Sequence, residues 1–375
     1  MMFSCRKIYD PPIVKGKNHF LAVDGFIYTG NNVSSIINLS RSVNLDDPGP
    51  GIAETGAQVT IQSSNGDSYN LIDSAGAGNY ISQALSLDTV NQYRLNITTS
   101  DGNKFQSDFV SSKEAPAIDS LSWELVYDPI TIQQAANIYV DTHDPTNGTR
   151  YYRWDFLETY KHFSTLSTNW ADSNGMVYPL PVGFSLHTCW STYPSQNIIL
   201  GTSVTLSQDV ISHLQIADFQ QNDPVLDIGC SFLVRQYPLT KQGYEYWLTV
   251  QKNSQSLGGL FDLTPSQISG NLHCITNPAN PVIGFISAST VQEKRIYISN
   301  KSLLGWQSQH FDSTFCLIGF RDVDPLNTLL YDYPDTSYGP YFFYGPILYV
   351  APKSCLDCRY QGGTNIKPSF WPQYD

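Results

Sequence analysis

The sequence predicts a mainly β protein: an N-terminal immunoglobulin-like β-sandwich, then a larger β-rich domain with one or two short helices. Three observations point there. Apolar residues alternate over short stretches, turn residues interrupt them roughly every 8–12 residues, and only one segment carries a clear helical period. The 375 residues include 18 Phe, 24 Tyr and 7 Trp, enough ring surface for a large core.

Phe20–Tyr28 opens the strand series, followed by Ser34–Leu39. Gly56–Gln62 alternates strictly, placing Ala57, Val59 and Ile61 on one face. Asn65, Gly66 and Asp67 supply turn chemistry into Tyr69–Ile72, which predicts a hairpin. Gly78–Tyr80 leads into another strand, then come Gln92–Thr98 and, past Asp101-Gly102, Lys104–Val110. Lys113–Ile118 reads as a linker. The expected boundaries are a lipoprotein-type tail at 1–17, the sandwich at 18–114 and a β-rich domain at 115–375 with a Cys-containing C-terminal tail.

Beyond the linker, Asn137–Asp141 and Arg150–Tyr160 flank His143–Gly148, a pattern predicting a second hairpin. Ser231–Tyr237 reads as a buried strand. Thr240 caps a helix running to about Ser256, with Tyr244, Trp247 and Leu248 on one face and Gly258-Gly259 as its stop. Pro281–Ser289 and Lys294–Ser299 predict another strand pair, and Tyr331–Trp371 is rich in Tyr, Pro and Gly.

Composition narrows function. A net charge of −12 without basic clusters argues against binding nucleic acid or an anionic lipid surface. No apolar run reaches the roughly 18 residues of a membrane-spanning helix. Cys5, followed by Arg6 and Lys7, has the look of the end of a bacterial lipoprotein signal, where cleavage precedes the cysteine and its sulfur is acylated; four residues precede it. With Cys5 lipidated, Cys189, Cys230, Cys274, Cys316, Cys355 and Cys358 remain. Six cysteines in an exported chain allow three disulfides in fifteen connectivities. The Cys355-Leu-Asp-Cys358 spacing also fits a redox pair or half a zinc site, with Cys316, His310, Cys274 and His273 as further zinc candidates.

Catalytic motifs are absent: no Gly-x-Ser-x-Gly elbow, no His-Glu-x-x-His and no phosphate-binding loop. Asp141, His143, Asp144 and Asp155 cluster near the second predicted hairpin, where alternation puts Asp141 and His143 on one face. A metal or acid/base site there competes with plain turn chemistry at Asp144–Gly148, which accounts for the residues without it. Cys189 near His187 reads as a disulfide half rather than a nucleophile. The aromatic tail, Tyr331, Tyr333, Tyr338 and Tyr341–Tyr344, suits a core, an interface or a ligand groove. No catalytic residue, cofactor or metal is expected.

Ser4–Lys7, Ser203–Ile211, Phe232–Tyr237, Gly243–Trp247, Lys252-Asn253, Gly258–Asp262, Pro265–Asn271, His273-Cys274, Pro281–Phe285, Arg295–Ile298, Cys355–Cys358, Gly363-Thr364 and Lys367–Trp371 occur in an order that resembles the Bacteroidota lipoproteins of domain-of-unknown-function family 4249. The resemblance spans essentially the whole chain. It implies a non-enzymatic accessory protein of the outer membrane, lipid-anchored through Cys5 and facing the cell surface. The implied partner in nutrient capture is a TonB-dependent outer-membrane receptor. An envelope structural or adhesive protein is the alternative, and a surface hydrolase a lesser one. Only Cys5 carries over as a functional position.

Overall fold

Alternation along the first strands decides which side chains point inward. In Gln92–Thr98, Tyr93, Leu95 and Ile97 are buried while their neighbours are not; in Gln58–Ser63, Val59 and Ile61 are. The computed structural model describes residues 20–43, 51–128, 133–173, 176–221, 223–255, 270–306, 316–322 and 337–373. Among these the protein is mainly β. Contacts divide it into two units, one drawn from Met1–Ala115, Thr149–Tyr152 and Tyr237–Val291, the other from Pro116–Gly148, Arg153–Gln236 and Gln292–Asp375. The partition therefore differs from consecutive blocks at 18–114 and 115–375, because residues 237–291 return to the first unit.

That return makes a barrel. Hydrogen-bonded pairing runs from Val110–Lys113 through Ser287–Ser289, Leu21–Tyr28, Ile36–Arg41, Asn79–Ser82, Ser68–Asp73, Gln58–Ser63 and Gln92–Thr98, and Gln92–Thr98 pairs again with Val110–Lys113. An immunoglobulin-like sandwich needs two facing sheets with free edges; this circuit has none. The closing strand Ser287–Ser289 lies parallel to both neighbours, and nothing within 18–114 announces a strand supplied from so far along the chain. Leu21, Val23, Ile37, Leu39, Val59, Ile61, Leu71, Tyr80, Leu95 and Ile286 fill the interior, as an eight-stranded barrel requires. Gly284 permits the close approach of a neighbouring strand: at φ 152° its missing Cβ would sit 2.4 Å from the Val23 carbonyl.

The helix forms over Lys241–Gln255, and Thr240 Oγ1 accepts a hydrogen bond from the Gly243 N–H at 3.1 Å. Tyr246 and Trp247 are its buried rings, while Tyr244 tilts against Tyr151 with centroids 5.1 Å apart. The proposed Gly258-Gly259 stop lies outside the described residues.

Ile118–Asp128, Gln133–Asp144 and Asp209–Gln220 form one sheet, and Thr188–Pro194, Tyr151–Phe163, Gly229–Pro238 and Gln292–Ser299 another, with Ile199–Thr202 paired to Tyr151–Phe163. Two expected pairings are corrected here. Gln133–Asp144 and Tyr151–Phe163 belong to different sheets rather than one hairpin, and Gln292–Ser299 pairs with Gly229–Pro238 rather than with 281–289. Turn chemistry at Asp144–Asn147 is real, with Thr146 N–H donating to Asp144 Oδ1 at 2.9 Å; a turn reverses the chain without fixing which strands pair. Buried polar groups are joined: Trp154 Nε1 donates to Gln236 Oε1 (2.9 Å), and Gln236 Nε2 donates to the Pro116 carbonyl (2.8 Å).

Candidate functional site

The segment after Pro352 is too short and polar to order itself, and the cysteines tie it down. A four-residue helix, Lys353–Leu356, leads through extended Asp357 into a 3-10 turn, Cys358–Gln361. Cys355 bonds Cys316 and Cys358 bonds Cys189. The Cys-x-x-Cys motif is thus neither a redox pair nor a zinc half-site; its members reach different segments. Two disulfides form in place of three, and Cys230 and Cys274 remain buried thiols. Main-chain bonds fasten the segment further, from Leu166 N–H to the Cys355 carbonyl (2.7 Å) and from Cys358 N–H to the Leu186 carbonyl (2.9 Å).

These ties build one wall of a cleft of about 370 Å³, within the range of about 300–1,000 Å³ usual for small-molecule sites. The hairpin Trp170–Ser173/Met176–Pro179 and the loop after it also line it. Trp170, Tyr178, Phe184 and Tyr360 line the cleft. Trp170 rests edge-on against Phe343, centroids 4.7 Å apart. Tyr178, Phe184 and Tyr360 are 44%, 45% and 62% exposed, and among the described residues no ring packs on their faces.

Four charges share the cleft. Lys353 Nζ lies 3.0 Å from Asp172 Oδ2. Arg359 binds the Asp357 carboxylate through Nε and NH2 at 2.7–3.1 Å, and this pairing raises the guanidinium pKa above its ordinary value.

A larger cleft, about 670 Å³, lies in the first unit beside Asp108, Glu245, Tyr246 and Phe285. Its rings are engaged: Tyr246 packs on Phe285 (5.4 Å), and Phe109 lies beneath Arg94 at 4.4 Å. Size favours that cleft; the smaller one combines three partly exposed rings with two ion pairs in its lining, and this chemistry decides in its favour.

The other sequence candidates do not converge. Cys5 lies outside the described residues, as do His310, Tyr331 and Tyr333. Asp141 accepts from Ser120 Oγ (2.5 Å) and the His213 N–H (2.7 Å), which hold its pKa down. His143 pairs with Asp119 at 2.7 Å and its pKa rises, while Asp155 is bound to Arg235 Nε at 2.6 Å. Among the described residues no group of three or more His, Cys, Asp or Glu is placed to hold a metal. Cys189 is oxidised, and His187 stacks on Phe163 (4.8 Å). Glu158 is raised to about 7 by burial and then by Asp223, but it lines neither cleft.

Sequence reading passed over Trp170, Tyr178, Phe184, Lys353, Arg359 and Tyr360. The available signal was the Cys355-x-x-Cys358 pair, which marks the wall they share. The flagged aromatic tail supports that wall: Thr168 Oγ1 donates to the Tyr341 carbonyl at 2.8 Å.

Residues 6–295, more than half of the chain, match the family described as Domain of unknown function (DUF4249). No curated protein matches the chain. The matched span includes Trp170, Tyr178 and Phe184 but ends before Lys353.

Proposed function

Since the chain belongs to the DUF4249 family, we propose that it is a lipid-anchored accessory protein of the outer membrane, a non-enzymatic partner of a TonB-dependent receptor in nutrient capture. Cys5 is the attachment position, and a bacterial lipoprotein cysteine carries three acyl chains, where one alone binds only marginally. The observation that supports the reading is the cleft whose lining sets the partly exposed rings of Tyr178, Phe184 and Tyr360 beside two ion pairs, a surface suited to holding a ligand. In this reading the protein faces the cell surface, the side from which a receptor's cargo arrives.

The test is native extraction. The chain is expressed behind a full lipoprotein signal with a C-terminal tag, outer membranes are solubilised gently, and bound proteins are identified by mass spectrometry. A receptor in stoichiometric amount is the expected result. Recovery of the lipoprotein alone would sink the transporter role and leave an envelope structural or adhesive protein.

A further inference from the structure

The charges in the cleft select among ligands. Its lining contains two acids and two bases, Asp172 with Lys353 and Asp357 with Arg359, each pair at salt-bridge distance. The site is internally neutral. An ionic ligand would meet a like charge beside every partner it gained, since each cation lies within about 3 Å of a carboxylate, and drawing Arg359 away from Asp357, 9% exposed, would leave a buried charge unmatched. A wholly apolar ligand would strip water from all four charges and return nothing. A polyhydroxyl ligand does neither. Each hydroxyl donates to a carboxylate lone pair while accepting from an ammonium or guanidinium N–H, so an existing ion pair serves it at both ends.

The rings complete the match. One face of a pyranose presents C–H groups with slight positive charge, and these lie well against the negative face of an aromatic ring. Tyr178, Phe184 and Tyr360 are all in the lining and all partly exposed.

We propose that this cleft binds a neutral oligosaccharide, its sugar rings stacked on Tyr178, Phe184 and Tyr360 and its hydroxyls bridged by Asp172–Lys353 and Asp357–Arg359. The inference deepens the capture role and rests on it for its biological meaning; the binding itself is read on the purified chain without any receptor.

The experiment titrates the full chain, by tryptophan fluorescence and calorimetry, with hexasaccharides of α- and β-linked glucose, mannose, xylose and galactose. A galacturonate hexamer and a Lys/Glu hexapeptide serve as charged probes. Saturable binding of at least one neutral hexasaccharide is expected, weakened about tenfold or more in Tyr178→Ala and Tyr360→Ala. Both side chains are exposed, so these variants should keep their fold, checked by near-ultraviolet circular dichroism. Phe109→Ala, in the first unit, should bind like the parent. The assignment is overturned if no neutral hexasaccharide binds up to about 10 mM, if a charged probe binds more tightly, or if the two tyrosine variants bind unchanged. Failure of this reading and of the transporter role are separable. Sugar binding without a co-purifying receptor removes the second alone, and a receptor without sugar binding removes the first alone.

Discussion

The barrel of the first unit and the cysteine-linked segment 353–361 of the second are ordered by different means. Around the barrel, backbone pairing closes on itself and buried Leu, Ile and Val side chains fill the space inside. Segment 353–361 has four buried residues in sequence, Cys355–Cys358, two of them consumed in covalent bonds. Hydrophobic burial scales with area, so a segment this small is held by bonds whose benefit depends on loop length. The difference locates the cleft: it lies where order is imposed by staples, and the exposed rings there are not required for packing.

The largest expected effect follows from the longer staple. Cys189 and Cys358 are 169 residues apart, and constraining a loop of that size in the unfolded chain stabilises by about 5 kcal/mol in the chain-entropy account. Cys189→Ala/Cys358→Ala should lose an amount of that order, measured by urea unfolding of oxidised protein, and it should open the cleft. The Cys316–Cys355 bridge spans 39 residues and should cost about 4 kcal/mol. If removing either bridge costs under about 1 kcal/mol, main-chain bonds hold the segment and the contrast with the barrel collapses.

Next in size is a cavity in the barrel. Leu95 is fully buried opposite Ile61, and Leu95→Ala should destabilise by about 3 kcal/mol through lost transfer energy and an unfilled void. Reductant should leave that value unchanged, since both disulfides lie in the second unit and Cys274, the thiol packed in the barrel's core cluster, is already reduced. A Leu95→Ala loss that grows under reductant would show that the two regions are coupled.

Legibility in the sequence follows the same division. Alternation marked Val59 and Ile61 as sharing the face that is buried, and Asn65–Asp67 and Asp101-Gly102 mark turns between strands that do pair. Thr240 marked the helix start. These are local signals acting over a few residues. Closure was not legible, because it depends on Ser287–Ser289 inserting beside Leu21–Tyr28. The cleft was less so. Tyr178, Phe184 and Tyr360 carry no motif, and only the fold brings a hairpin at 170–179 against residues 353–360. Cysteine identity told that cross-links were available; it could not tell that adjacent members of Cys355-x-x-Cys358 would bond to Cys316 and Cys189.

The smallest effect tests a contrast in charge. In the first unit the buried carboxylate of Glu54 is paired with Arg41 Nε at 2.6 Å, whereas a sheet of the second unit holds Glu158 half-buried beside Asp223. Burial first, and repulsion from Asp223 second, raise this carboxyl from an ordinary value near 4.5 to about 7. The folded state therefore keeps a proton that the unfolded chain has released. By linkage, stability is highest below about pH 4.5, falls as pH rises towards 7 and stays reduced above it, because the unfolded state binds fewer protons over that interval. Solvent screening of a partly exposed group limits the loss to about 1–2 kcal/mol. Glu158→Gln keeps the shape without the charge, so it should gain about that much at pH 8, gain little at pH 4, and flatten the decline between them. Urea unfolding at intervals across pH 4–8 reads all three. A variant as pH-sensitive as the parent would assign the decline to other groups, whereas a flattened profile would assign it to Glu158 in the second unit.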